Sequence, residues 1–230
     1  VIANNLTHRY YCCDVMEKDS LTVKILEWEN PSSCMIFCNM KRDVSYLEQV
    51  LTNHGFNVAA LSGDVAQKLR EKTLENFRKQ KINILICTDV AARGIDVSHV
   101  THVIVYDHPE DKEVYVHRSG RTARAGKEGV AISLITPVEE IELQKTAADF
   151  GIQFEKMPPI TDEMLTNRLQ ERLLDSLERE KRNIRPLDKA RLERFIPLVE
   201  KMTKDQDQKE TLAMLLDQYL KKQKGNHGKN

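Results

Sequence analysis

Arginine makes the densest chemical signal in this sequence. The segment His117-Arg118-Ser119-Gly120-Arg121-Thr122-Ala123-Arg124-Ala125-Gly126 sets three guanidinium groups at three-residue spacing around two glycines. A solvated turn has no need of so much like charge, so the cluster should meet an anion. Guanidinium binds phosphate oxygens bidentately and stays charged when partly dehydrated, which suits a triphosphate better than lysine would. The three arginines are not equivalent. A carboxylate such as Asp89 can neutralise Arg118 in a structural ion pair, whereas Arg121 and Arg124 are the candidates for a phosphate.

Two other segments carry comparable chemistry, and each follows an apolar run. Thr88-Asp89-Val90-Ala91-Ala92-Arg93-Gly94-Ile95-Asp96 gathers a hydroxyl, two carboxylates, a guanidinium and a glycine. Ser62-Gly63-Asp64-Val65-Ala66-Gln67-Lys68-Leu69-Arg70 reads as a turn entering a helix, with Gln67 and Arg70 on one face. Ligands of an open α/β sheet bind beyond the carboxyl ends of its strands, so strand-end loops are where such residues should converge.

The elements that must position them follow an α/β rhythm. Strands are expected at 8–13, 34–38, 57–61, 83–87, 102–106 and 130–135, with amphipathic helices at 19–28, 41–54, 65–79 and 138–150. Ile82-Asn83-Ile84-Leu85-Ile86-Cys87 is apolar at nearly every position, as in a parallel sheet covered on both faces. Met157-Pro158-Pro159 breaks this rhythm and marks a boundary. The expected division is an α/β domain over 1–157, a helical extension over 158–223 and a disordered tail over 224–230. In the extension, Leu165, Leu169, Leu173 and Leu177 stripe one long helix ending near Pro186. A second helix is expected over 187–202, bent at Pro197, and a third over 206–222.

Composition narrows the class. The chain has 230 residues, 40% apolar and 30% charged, enough for a sizeable core. Net charge is zero, with 19 basic and 22 acidic residues over 1–158 and 16 and 13 over 159–230. Any nucleic acid must therefore be gripped by a few placed groups rather than by a strongly basic face. No apolar run approaches the roughly 20 residues of a membrane span. Cys12, Cys13, Cys34, Cys38 and Cys87 form no Cys-x-x-Cys pair and read as reduced thiols; a metal at Cys34 and Cys38 is the less favoured reading. No secretory leader opens the sequence, and a cytoplasmic location is expected.

Together these segments resemble the C-terminal RecA-like domain of DEAD-box RNA helicases. Residues 117–126 resemble that family's His-Arg-x-Gly-Arg-Thr-x-Arg-x-Gly motif, 88–96 its Thr-Asp-x-x-Ala-Arg-Gly-x-Asp motif, and Gln67 with Arg70 its Gln-x-x-Arg motif. Ile36-Phe37-Cys38-Asn39 resembles the strand-end motif that opens the domain's RNA surface. Ser62 stands where the family often has histidine, and Ala123 where glycine is common; alanine there would restrict the backbone.

The resemblance implies an α/β, RecA-like three-layer fold with a mainly parallel sheet. It further implies that Arg121 and Arg124 act as arginine fingers on the γ-phosphate of ATP, that Asp96 accepts from the ribose hydroxyls, and that His117 couples nucleotide to RNA. Asn39, Gly63, Asp64, Gln67, Arg70, Thr88 and Arg93 would hold RNA phosphates and sugars, giving sequence-tolerant binding. Neither a Gly-x-x-x-x-Gly-Lys-Ser/Thr loop nor an Asp-Glu-Ala-Asp run occurs, so ATP and its Mg²⁺ should be held mainly by a further domain expected ahead of Val1. Alone, the chain would not be an ATPase. The alternative is a non-catalytic RNA-docking or protein-docking module that uses the same arginines as phosphate anchors. The extension resembles, less specifically, the segment following this domain in bacterial DEAD-box proteins that dimerise, and implies a homodimer through residues 160–222.

Overall fold

The computed structural model describes residues 5–93, 99–124 and 126–226, and the chain divides into two compact units, one running to Ile160 and the other spanning Thr161–Lys224. In the first unit, β1 (Leu6–Cys12), β2 (Cys34–Phe37), β3 (Val58–Leu61), β4 (Ile84–Cys87), β5 (His102–Val105), β6 (Gly129–Ile135) and β7 (Phe154–Lys156) form one sheet in the order β3-β4-β2-β5-β6-β1-β7. Every pairing is parallel. The strands come within two residues of the expected bounds. β7, only three residues long, lacks the length and alternation that would mark it in the sequence.

The helices are α1 (Lys18–Glu29), α2 (Lys41–Asn53), α3 (Gln67–Arg78), α4 (Asp89–Ala92), α5 (Lys112–Ser119) and α6 (Glu139–Phe150). Right-handed crossovers sort them by direction of travel. The chain moves one way from β1 through β2 to β3, which puts α1 and α2 on one face. It moves back through β4, β5 and β6 to β7, which puts α3, α5 and α6 on the other. Met35, Phe37, Leu85, Cys87 and Val105 pack on that second face against Leu74, Phe77 and Tyr115. Their strand neighbours Ile36, Ile86 and Ile104, equally buried, alternate toward the first. Burial also explains the central thiols: Cys34, Cys38 and Cys87 are all pushed up in pKa, chiefly by desolvation.

The second unit is helical, with α7 (Asp162–Arg182), α8 (Pro186–Glu193), α9 (Ile196–Met202) and α10 (Gln206–Asn226). Thr161 caps α7, its hydroxyl accepting from Met164 N–H at 3.2 Å. The Tyr219 hydroxyl ties α10 to α7 through Glu180 at 2.7 Å and Ser176 at 3.0 Å. The helix expected over 187–202 is two helices, because it breaks ahead of Pro197, which takes an early position in α9 where its missing N–H is harmless. The expected disordered tail is also corrected in part. α10 continues through residues 224–226, and residues 227–230 lie outside those described.

One backbone feature bears on the arginine segment. Ala123 has φ 57°, the left-handed region that glycine visits freely and alanine does not. Opposite it, a methyl group on Gly129 would collide with Thr122 Oγ1 and the Ala123 amide nitrogen, so the turn leaves no room for a side chain at this position of β6.

Gly129→Ala is expected to lower unfolding stability by about 1–3 kcal/mol, and Ala123→Gly to raise it by up to about 1 kcal/mol. Denaturant midpoints at constant m-value read both, and a Gly129→Ala variant as stable as the parent would contradict the close approach. Acid should also weaken the fold. His8 is buried beside the Tyr115 hydroxyl, 2.7 Å from Nδ1, and desolvation lowers its pKa from 6.5 to about 4. The unfolded chain binds a proton that the native state refuses, so stability falls as pH drops from about 6.5 toward about 4. Burial shifts His99 and His108 the same way. His8→Gln should make that loss shallower, and an unchanged pH profile would show that His8 does not contribute.

Candidate functional site

Because all strands run parallel, the loops after β2, β3, β4 and β5 leave from one edge of the sheet, and α5 ends beside them. Asp111 starts α5, its carboxylate accepting from Glu113 N–H at 2.9 Å. The last turn carries His117 and Arg118, and Gly120 closes the helix with its N–H on Val116 O at 2.9 Å. The segment 117–119 is thus the end of a helix, α5, that was not among the helices expected from the sequence.

Arg118 is 2% exposed and is the largest fully buried side chain in the first unit. It forks onto Asp89, with Nε to Oδ1 at 2.8 Å and Nη2 to Oδ2 at 2.7 Å. Nη2 also donates to Asn39 Oδ1 and Nη1 to the Asp107 carbonyl, both at 2.7 Å. The guanidinium lies 5.6 Å from the centre of the Phe37 ring. The expected Arg118–Asp89 pair is present, and it joins the ends of β2, β4 and β5 through one planar cation.

Arg121 belongs to a cavity of about 330 Å³ that also meets Asp89, Arg93, His117 and Val114. Burial, and next the cation of Arg124, pull the Arg121 pKa down. A half-dehydrated guanidinium beside a like charge is a site whose electrostatics favour an incoming anion. Arg124 is half-buried, with Nε donating to Gly120 O at 3.0 Å. Thr122 pins the turn by donating its hydroxyl to Val100 O at 2.6 Å, and Ala123 takes the left-handed backbone that carries the chain on to Arg124.

The remaining residues expected to hold RNA are placed variously. Asn39 stands at the exposed end of β2, its Nδ2 donating to His108 O at 3.0 Å while Oδ1 accepts from Arg118. Thr88, 8% exposed, begins α4, and Arg93 ends it in the open. A methyl group on Gly63 would meet Lys41 and Val90 at ordinary van der Waals distance, and Asp64 pairs with Lys41 at 2.5 Å, so this turn faces the starts of α2 and α4. Gln67 turns along its own helix to Glu71 at 2.8 Å. Arg70 donates Nη2 to the carbonyls of Ala91 and Arg93 at 2.9 and 3.0 Å, which fixes the exit from α4. Asp96, expected at the ribose, lies outside the described residues with 94–98, as does Ala125.

Sequence reading missed Asp107. Its carboxylate Oδ2 accepts the Asn39 backbone N–H at 3.0 Å, and its carbonyl accepts from Arg118. The rule applied to the other loops would have found it, since Asp107 directly follows the apolar run 102–106. Among the described residues, no group of three or more His, Cys, Asp or Glu side chains is placed to hold a metal ion, and no helix is long and apolar enough to cross a membrane.

Comparison with known proteins agrees with this geometry. Residues 17–126 match the helicase conserved C-terminal domain. The DEAD-box ATP-dependent RNA helicase CshA of Geobacillus kaustophilus is 39% identical over 176 residues, covering 74% of this chain and 38% of that protein. RhpA of Helicobacter pylori, also a DEAD-box ATP-dependent RNA helicase, is 34% identical over 169 residues, covering 73% and 34%. The chain spans about a third of the length of these curated relatives. Among solved structures, the Escherichia coli DEAD-box protein SrmB bound to regulator of ribonuclease activity A superposes with TM-score 0.63 at 32% identity, over 69% of this chain and 93% of that one. Saccharomyces cerevisiae Dbp5 bound to RNA and ADP BeF3 superposes with TM-score 0.66 at 29% identity, over 74% and 46%. With its parallel sheet, its arginine-bearing edge and these matches, the chain belongs to the DEAD-box helicase family, as that family's C-terminal RecA-like domain.

Proposed function

We propose that this chain is the C-terminal half of an ATP-dependent RNA helicase that separates short RNA duplexes, with ATP and RNA bound between it and an N-terminal RecA-like domain. One observation carries this reading. Both carboxylate oxygens of Asp89 are engaged by Arg118, while Arg121 lines the strand-end cavity with its pKa drawn down by burial and by Arg124. Arg121 and Arg124 act on charge developing at the γ-phosphate of ATP, a substrate that the partner domain holds with Mg²⁺ through its phosphate-cradling loop and carboxylates. Fingers of this type contribute about 10³–10⁵ in rate, or roughly 4–7 kcal/mol of barrier. His117, on the same cavity, couples nucleotide to RNA; Asp96 receives the ribose hydroxyls.

On the RNA side, Asn39, Thr88, Arg93 and the Gly63-Asp64 turn meet phosphates and sugars rather than base edges, so binding tolerates any sequence. Gln67 and Arg70 belong to the same surface, Arg70 acting through the carbonyls that it orders at Ala91 and Arg93. Closure of the cleft bends one strand, and the duplex loses pairing energy. Such a protein works where RNA is made and assembled, and the buried reduced thiols fit the cytoplasm.

The helical unit is proposed to dimerise through residues 160–222. It leaves Leu187 86% exposed and Phe195, Ile196, Leu198 and Leu215 each more than half exposed, a large apolar area for a helical piece of this size.

In the two-domain protein, Arg121→Ala or Arg124→Ala should lower ATP turnover at least about 10³-fold and leave RNA affinity without nucleotide within about twofold. Arg70→Ala should first raise the RNA concentration needed for half-maximal turnover. Steady-state ATPase assays with RNA titration separate the two, and near-normal turnover in Arg124→Ala would remove the finger assignment. Sedimentation of the chain with and without residues 159–230 should give a dimer and a monomer respectively; a monomer in both cases would end the dimer proposal.

A further inference from the structure

The buried charge on α1 has no part in the motifs above. Lys18 is 4% exposed, and desolvating an ammonium costs several kcal/mol unless it is paired. Its Nζ lies 3.5 Å from Asp107 Oδ1, 3.9 Å from Glu139 Oε2 and 5.8 Å from the centre of the Tyr106 ring. Each of those carboxylates also clasps a strand-end loop. Asp107 Oδ2 takes the Asn39 amide at 3.0 Å, and Glu139 Oε2 takes both the amide and the hydroxyl of Thr136 at 2.8 Å. A continuous line of polar contacts therefore runs along the ligand edge of the sheet, from Thr136 after β6, through Glu139, Lys18, Asp107, Asn39 and Arg118, to Asp89 after β4. Within this line Lys18 bridges Glu139 and Asp107, as Arg118 bridges Asn39 and Asp89.

We infer that Lys18 is a positioning residue for RNA binding: by balancing Asp107 and Glu139 it fixes the Asp107 carboxylate that holds the Asn39 turn in place. This rests on the RNA role proposed for Asn39. Lys18 itself touches no ligand. Without its ammonium the Asp107 carboxylate turns outward to water, the Asn39 N–H loses its acceptor, and the turn between β2 and α2 relaxes while the sheet beneath it stays.

Lys18→Met keeps the length of the side chain and removes the charge; Asp107→Asn serves as a second variant should Lys18→Met fail to fold. In the full chain, nitrogen-15 correlation spectra should show the Asn39 backbone amide proton moving upfield, while amides of β4 such as Leu85 keep their shifts. In the two-domain protein, with a uridine homopolymer as probe, the RNA concentration for half-maximal ATPase should rise ~tenfold with kcat within twofold. An unmoved Asn39 amide in a folded variant overturns the inference, as does a moved amide with unchanged RNA dependence. If the unsubstituted protein shows no RNA-stimulated turnover, the helicase reading fails, and the Asn39 amide alone decides whether Lys18 sets the turn.

Discussion

A guanidinium can be buried at the end of a parallel sheet only if its charge and its donors are matched, and the match around Arg118 organises this domain. Four donor contacts, two to Asp89 and one each to Asn39 and the Asp107 carbonyl, leave the cation nearly without solvent exposure. Each acceptor comes from a different strand end, so one side chain fixes the relative placement of three loops. Removing a single partner of such a pair leaves an uncompensated buried charge, typically a loss of about 3–5 kcal/mol. That cost is a reason for the loops after β2, β4 and β5 to hold their positions when no ligand is bound.

The same pairing divides labour among three arginines that look alike in the sequence. Arg118 is committed to structure on the last turn of α5. Arg121 is carried past the helix end by the Gly120 closure and reaches the cavity, and Arg124 is set beside it by the left-handed residue Ala123. Two cations brought together at partial burial raise the local potential, and a phosphoryl group lowers it. A phosphate anchor needs a cation near an anion; a catalyst needs that cation placed where charge will develop and nowhere earlier. A rigid, prepaired Arg118 one turn before these neighbours is a means of placing them.

Much of this was legible from residue order. Strand-sized apolar runs such as Ile84–Cys87 announce a covered parallel sheet, the strand-end rule marks the loop from Thr88, and the family resemblance adds Asn39 at the end of β2. A structural ion pair of Arg118 with a carboxylate such as Asp89 was expected, and the restriction at Ala123 follows from the family resemblance, in which glycine is common there. Other features were hidden for physical reasons. α5 is eight residues long and mixes polar with apolar positions at no clean period, so its helical state comes from the Asp111 cap and from packing Tyr115 into the core. β7 is placed by register with β1 and by Phe154 packing against Tyr10 and Tyr115, contacts that its three residues do not announce in the sequence. Lys18 sits in a polar stretch where nothing distinguishes it from a solvated lysine, and its meaning appears only when the fold brings Asp107 and Glu139 to it. Arg70, which the family resemblance would set on RNA phosphates, donates in this structure to two carbonyl oxygens.

The central claim is that Arg121 and Arg124 recognise charge that exists only as the γ-phosphoryl group transfers. The most direct measurement compares, in the two-domain protein with RNA, the affinity for ADP alone with that for ADP plus a metal-fluoride mimic of the transferring phosphoryl group, before and after replacing both arginines by alanine. The account predicts that ADP binds within a few-fold of the unsubstituted protein while the mimic complex loses at least about 10³ in affinity. An equal loss for both ligands, or none for either, would contradict it.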